Sequence, residues 1–111
     1  MHSADMSCVF CEIVAGRAEA SVVHADETAI AFMDINPVNP GHTLVIPRVH
    51  AAGLADLDED TGAHLWRVGQ RIAGALRRSG LRCEGVNLLL TDDEADPHEI
   101  FHVHLHVIPR Y

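Results

Sequence analysis

Between residues 100 and 110 the chain reads Ile100-Phe101-His102-Val103-His104-Leu105-His106-Val107-Ile108-Pro109-Arg110. Strict alternation over such a length is the pattern of a half-buried β-strand. Phe101, Val103, Leu105 and Val107 form one face, apolar enough to bury. His102, His104 and His106 stand in a row on the other, spanning about 13 Å at roughly 3.3 Å per residue. A solvated sheet face is the plain structural alternative, but it gives no reason for three imidazoles at perfect alternation. Two chemistries suit such a row. Imidazoles can converge on a zinc ion. Alternatively, a neutral imidazole attacks phosphorus while its neighbours bind the non-bridging oxygens. The middle residue, His104, has a neighbour on each side to orient it and is the natural nucleophile.

The remaining residues read as support for this strand. A chain of 111 residues is expected to form one domain, 1–111, with a modest single core. No signal-peptide layout is evident, nor any apolar run near the roughly 18 residues that cross a bilayer, so a cytoplasmic protein without membrane contact is expected. The formal net charge of −8 argues against nonspecific binding to nucleic acid. It leaves room for a phosphate ligand, because backbone N–H groups and imidazoles bind phosphate locally.

The three cysteines are Cys8, Cys11 and Cys83. An odd count without a secretory context makes Cys8-x-x-Cys11 the informative pair, and no thioredoxin-like βαβ context surrounds it. A zinc half-site is the better reading; it needs two more ligands, and His50 is a candidate third. Residues 8–15 fit a short helix ended by Gly16. Strands are expected at 21–25, 28–33, 42–46 and 86–91. A dense turn signal runs from Asp34 to Gly41. Asp34 itself either opens that turn or offers a carboxylate to a ligand.

A long helix is expected from Asp56 to Ser79, capped by Asp56 or Asp58 and stopped by Gly80. Leu65, Val68, Ile72, Ala75 and Leu76 form its apolar stripe. Trp66 lies beside that stripe, for core or dimer packing. Gly69 and Gly74 weaken the helix intrinsically. The sum is an α+β fold: an antiparallel sheet of about five strands, with one long helix and a short N-terminal helix on one face.

The segment His102 to Ile108 resembles, at every position, the His-φ-His-φ-His-φ-φ motif of the histidine-triad nucleotide-binding family, φ being apolar. Cys8-Val9-Phe10-Cys11 and the block from Phe32 to Pro47 resemble two further family segments. The resemblance implies His104 as nucleophile, forming a nucleotidyl-histidine, and His106 in contact with the phosphate or bridging atom. It implies a nucleotide site from Val9, Phe10, Ile13, Phe32, Asp34, Ile35, Thr91, His98, His104 and His106, with Asp34 on the ribose hydroxyls. It also implies a structural zinc on Cys8, Cys11, His50 and His102, and a homodimer. The implied reaction is hydrolysis of nucleoside 5′-phosphoramidates or dinucleoside polyphosphates, releasing a nucleoside monophosphate. A purine nucleotide or nucleoside phosphate is the expected partner.

The match fails in places. Pro97-His98-Glu99-Ile100 stands where relatives carry Gly-Gln-Ser/Thr-Val, after an acidic loop from Asp92 to Asp96. Pro97 has no N–H to donate, and Glu99 places a negative charge where the family places a phosphate-binding hydroxyl. The chain ends soon after the triad, where relatives usually continue. Pro97, Glu99 and the acidic loop favour an alternative: a weakly active or inactive nucleotide-binding module with a structural zinc. A catalytic zinc on the triad itself is a third reading.

Overall fold

A computed structural model describes residues 8–92 and 102–111. The elements are α1 (Val9–Val14), β1 (Val22–Ala25), β2 (Ala29–Met33), β3 (Thr43–Pro47), a 3-10 turn (Leu54–Asp56), α2 (Glu59–Arg78), β4 (Gly85–Leu89) and β5 (Leu105–Arg110). The strands form one five-stranded sheet in the order β1-β2-β3-β5-β4, with every neighbouring pair antiparallel. This is the expected α+β arrangement.

The position of the short helix differs from expectation. Ala29, Ala31, Val45, Leu105 and Val107 pack in one cluster with Leu65, Val68 and Leu76 of α2. Their strand neighbours Ile30, Phe32, Leu44 and Ile46 pack in a second cluster with Cys8 and Phe10. Successive strand residues point to opposite faces, so α1 and α2 cover opposite sides of the sheet. Both central strands are apolar on both faces, and each face needs its own cover.

The histidine strand is also shorter than expected. Ladder pairing covers only Leu105–Arg110. Antiparallel register sets Val45 opposite Leu105, which would bring Pro47 opposite Val103. Pro47 has no N–H to give, and its carbonyl accepts from His102 Nε2 at 2.9 Å. Val103 N–H donates instead to the Ala51 carbonyl at 2.8 Å. The alternation of faces survives the lost pairing, for Val103 belongs to the α2 cluster. Phe101 and Ile100 lie outside the described residues.

Helix α2 starts at Glu59 because Asp58 caps it, its carboxylate accepting from Asp60 and Thr61 N–H. Ser79 ends it, with N–H and hydroxyl both turned onto the Leu76 carbonyl. Ala75 of the expected stripe is exposed, and Gly69 is buried in the packed face instead. A Cβ at Gly69 would lie 2.8 Å from Leu105 Cδ2 and 3.1 Å from Leu88 Cδ2. The glycine lets α2 settle onto the sheet. Trp66 is 56% exposed, which removes it from the core of this chain.

Asp26, in the β1–β2 turn, ties the hairpin to α2. Its Oδ1 accepts from Thr28 and Ala29 N–H at 2.8 Å each. Its Oδ2 accepts from His24 Nε2 and from His64 Nε2 of α2, both at 2.7 Å. Partial burial works to raise the Asp26 pKa. The hydrogen bonds from His24, His64, Ala29 and Thr28 outweigh it and hold the carboxyl well below its usual range.

Two predictions follow from this packing. Gly69→Val forces a branched side chain against Leu105 and is expected to cost about 1–3 kcal/mol in urea unfolding. Gly74→Ala meets only the mobile end of Arg78 and is expected to stabilise by roughly 0.5–1 kcal/mol. Equal effects at the two sites would refute the close approach of α2 at Gly69. Asp26→Asn is expected to lower the melting temperature by several degrees at neutral pH. A depressed folded-state pKa contributes stability above the unfolded carboxyl value of about 3.9 and loses it as pH falls. The gap between wild type and Asp26→Asn should therefore begin to narrow in melting curves recorded below about pH 4 and keep shrinking as the pH falls toward the depressed folded-state range.

Candidate active site and metal centre

The polar face of the histidine segment meets α1, and the three imidazoles part company there. His102 is fully buried. Its Nε2–H donates to the Pro47 carbonyl, which turns Nδ1 toward two sulfurs, Cys8 Sγ at 3.2 Å and Cys11 Sγ at 3.5 Å. Cys11 Sγ also lies 3.2 Å from His50 Nδ1. The four ligand atoms of Cys8, Cys11, His50 and His102 all fall within 4.8 Å of one another. Tetrahedral zinc bound at about 2.0–2.3 Å has ligand–ligand edges near 3.5 Å, so the donor set fits that ion. The sulfurs converge because Cys8 caps α1 and Cys11 lies one turn on, its N–H donating to Cys8 Sγ. Burial pushes the His102 pKa down against the pull of the Pro47 carbonyl, favouring the neutral ring that a metal requires.

His104 and His106 face a different space, a cavity of about 260 Å³. Its apolar walls are Val9, Phe10, Ile13, Phe32, Ile35 and Leu44, and its polar lining includes Glu19, Asp34 and Asn36. The Phe10 ring stands edge-on to His104, with centroids 5.2 Å apart, and edge-on to Phe32 at 5.5 Å. His104 Nδ1–H donates to the His102 carbonyl at 2.7 Å, so its lone pair sits on Nε2. His106 Nδ1 lies 2.9 Å from His42 Nε2. His42 Nδ1 accepts from Val38 N–H at 3.1 Å, so His42 must donate through Nε2. His106 then accepts at Nδ1 and carries its own proton on Nε2. Burial pushes the His42 pKa down, with Asp34 working against it, and the ring's Nε2 lies 3.6 Å from Asp34 Oδ2. Asp34 opens the turn as well, its Oδ1 accepting from Asn36 N–H at 2.9 Å.

Eight of the ten residues expected at a nucleotide site therefore line one cavity: Val9, Phe10, Ile13, Phe32, Asp34, Ile35, His104 and His106. Thr91 is not among its lining residues. His98, with Pro97 and Glu99, lies outside the described residues. Of the acidic loop, Asp92 accepts from Leu54 N–H at 2.9 Å, beside the 3-10 turn rather than in the cavity. A single metal site on the three triad histidines does not form. His102 belongs to the cysteine set, and His106 gathers with Asp34 and His42.

Sequence reasoning missed His42. His42 alternates with Leu44 and Ile46, which pack on the α1 side, but only the pairing of β3 with β5 brings it against His106. It also missed Glu19, Asn36 and Leu44.

A model of the HIT domain matches residues 15–111. The chain belongs to the histidine-triad, or HIT, family. An uncharacterized HIT-like protein of Mycobacterium tuberculosis is 41% identical over 104 residues, 94% of this chain and 72% of the relative. The crystal structure of a zinc-bound histidine triad family protein from Mycobacterium smegmatis superposes with a TM-score of 0.91 at 48% identity. It covers 96% of this chain and 76% of that one. A histidine triad nucleotide-binding protein from Candida albicans gives 0.83 at 28% identity, over 94% and 75% of the two chains. The α1 turn with its cysteine pair precedes the residues matched by the HIT-domain model. Among the described residues of this HIT protein, no helix is long and apolar enough to cross a membrane.

Proposed function

We propose that this HIT protein binds a nucleotide in the cavity and transfers its nucleoside monophosphate to water through His104, acting on nucleoside 5′-phosphoramidates or dinucleoside polyphosphates. One observation carries the reading: the His104 Nδ1–H bond to the His102 carbonyl at 2.7 Å, which assigns the ring's proton to Nδ1 and its lone pair to Nε2. The apolar walls hold the base, Asp34 accepts from the ribose hydroxyls, and the phosphate meets His104 and His106. His104 Nε2 attacks phosphorus, and the bond from phosphorus to the leaving nitrogen or oxygen breaks. The leaving group takes the proton from His106 Nε2. Water then attacks the nucleotidyl-histidine, yields a proton to His106, and frees His104. His42 holds His106 in the tautomer that this requires.

A zinc ion would be held by Cys8, Cys11, His50 and His102, as the donor set and the zinc-bound relative support. It would supply a structural link between α1, the segment after β3 and the triad. A homodimer completes the reading: Trp66 of α2 and Leu89 of the edge strand β4 are both more than half exposed, apolar surface that a second copy would cover.

His104→Asn keeps a side chain able to donate to the His102 carbonyl but removes the nucleophile. Turnover of an adenosine phosphoramidate should fall by about 1000-fold or more, with nucleoside monophosphate affinity within threefold of wild type. The nucleotidyl adduct, visible as an added nucleotide mass on intact wild-type protein, should be absent in the variant. Equal turnover in the two proteins would remove His104 as nucleophile, and nucleotide binding with neither adduct nor turnover would leave a binding module. Protein from zinc-replete medium should carry one zinc per chain by elemental analysis, and Cys8→Ser should lose it along with several degrees of melting temperature. A wild-type protein without zinc, or a Cys8→Ser protein unchanged in both, would contradict the metal assignment.

A further inference from the structure

The cavity holds one charged side chain that the proposed reaction does not use. Glu19 lies on its lining, on the segment between α1 and β1, and shares that lining with Ala20, Met33, Asp34 and Ile35. The pairing explains the placement: Ser21 accepts from Met33 N–H across the start of the β1–β2 ladder, which brings residues 19 and 20 beside the end of β2. Glu19 is solvent-exposed, and among the described residues it makes no hydrogen bond or ion pair. The nearest arginine in sequence, Arg17, is committed to Glu12, with Nε 2.9 Å from Oε2. An unpaired carboxylate on the rim of a pocket walled mainly by apolar side chains is an acceptor open to a donor.

We propose that Glu19 reads the edge of the base and makes the site selective for guanine nucleotides. The inference rests on the nucleotide reading of the cavity and goes beyond it by naming the base. With His104 and His106 taking the phosphate and Asp34 the ribose, the base falls among Val9, Phe10, Ile13, Phe32 and Leu44, and its outer edge meets the rim. A carboxylate offers two acceptor oxygens and no donor. Guanine alone among the common bases presents two adjacent donors, N1–H and the N2 amino group, which a carboxylate accepts in parallel. Adenine and cytosine each offer an amino group beside a ring-nitrogen lone pair, which would face the second oxygen. Uracil offers a single N–H flanked by carbonyls. A polar group left unpaired at the edge costs affinity, and this is how a hydrogen-bonding site rejects the wrong ligand.

Calorimetric titration of the full chain with GMP, IMP and AMP tests this without requiring turnover. Wild type should bind GMP about tenfold more tightly than AMP, with IMP between them because it keeps N1–H and lacks the amino group. Glu19→Gln exchanges one acceptor for a donor and matches the adenine edge. It should weaken GMP about tenfold and bring AMP level with or ahead of it. Glu19 is exposed, so the variant should keep its fold, checked by an unchanged melting temperature. AMP bound as tightly as GMP by wild type, or a GMP-to-AMP ratio unchanged in Glu19→Gln, would overturn guanine selection while leaving the nucleotide site in place. Binding of none of the three would overturn the nucleotide reading and this inference together.

Discussion

Three histidines at alternate positions have the same covalent chemistry, and a hydrogen bond to one ring nitrogen gives each a different task. His102 gives Nε2–H to the Pro47 carbonyl and turns Nδ1 to the cysteines. His104 does the reverse, giving Nδ1–H to the His102 carbonyl. His106 accepts at Nδ1 from His42. A neutral imidazole has one donor and one acceptor, so fixing one nitrogen fixes the other. The partners are two carbonyls on fixed backbone and a ring that is itself pinned by Val38 N–H. The tautomers are thus set by the fold, before any ligand arrives.

That arrangement requires a dry polar face, and the sheet obtains it by burying both sides. Helix α1 is only six residues long, too short to persist alone. It is held by Phe10, which is 4% exposed and packs against Phe32, His102 and His104, and by the cysteines over His102. The same contacts build the cavity wall and screen the imidazoles from water. On the opposite side α2 covers Val103, Leu105 and Val107, and Gly69 lets it approach. Moving β5 by one residue would exchange these faces, placing histidines against α2 and aliphatic side chains against the cysteines. Register is therefore common to the core and to the site.

The strand period, the cysteine spacing and the turn at Asp34 were legible in the sequence because each is a local pattern. Asp34 does open the turn, and its side chain also lines the cavity. The placement of the two helices on opposite faces was misread, although the sequence holds a signal for it. Ala29-Ile30-Ala31-Phe32 and Leu44-Val45-Ile46 are continuous apolar runs, the mark of strands covered on both faces, whereas an open face would have alternated. What could not be read was adjacency over long separations. His42 and His106 are 64 positions apart, and only the sheet order places β3 beside β5. The truncated ladder has a similar origin: Pro47 is local to β3, but the consequence of its missing N–H falls on the partner strand.

The chain carries twice as many acidic as basic residues, and among the described residues the cavity lining includes Glu19 and Asp34 but no arginine. Attraction of a phosphate by net charge is therefore a poor basis for affinity here. Neutral imidazoles offer another. Burial pushes His42 and His102 toward the uncharged form, yet an uncharged ring still donates one N–H, and its partners decide which. An oriented dipole in a water-poor site can stabilise developing negative charge without reorganising during the reaction. On these terms the acidity of the chain and a phosphate-handling site are compatible. The fold supplies direction rather than charge, and the hydrogen bond from His42 to His106 provides the direction where the leaving group would need its proton.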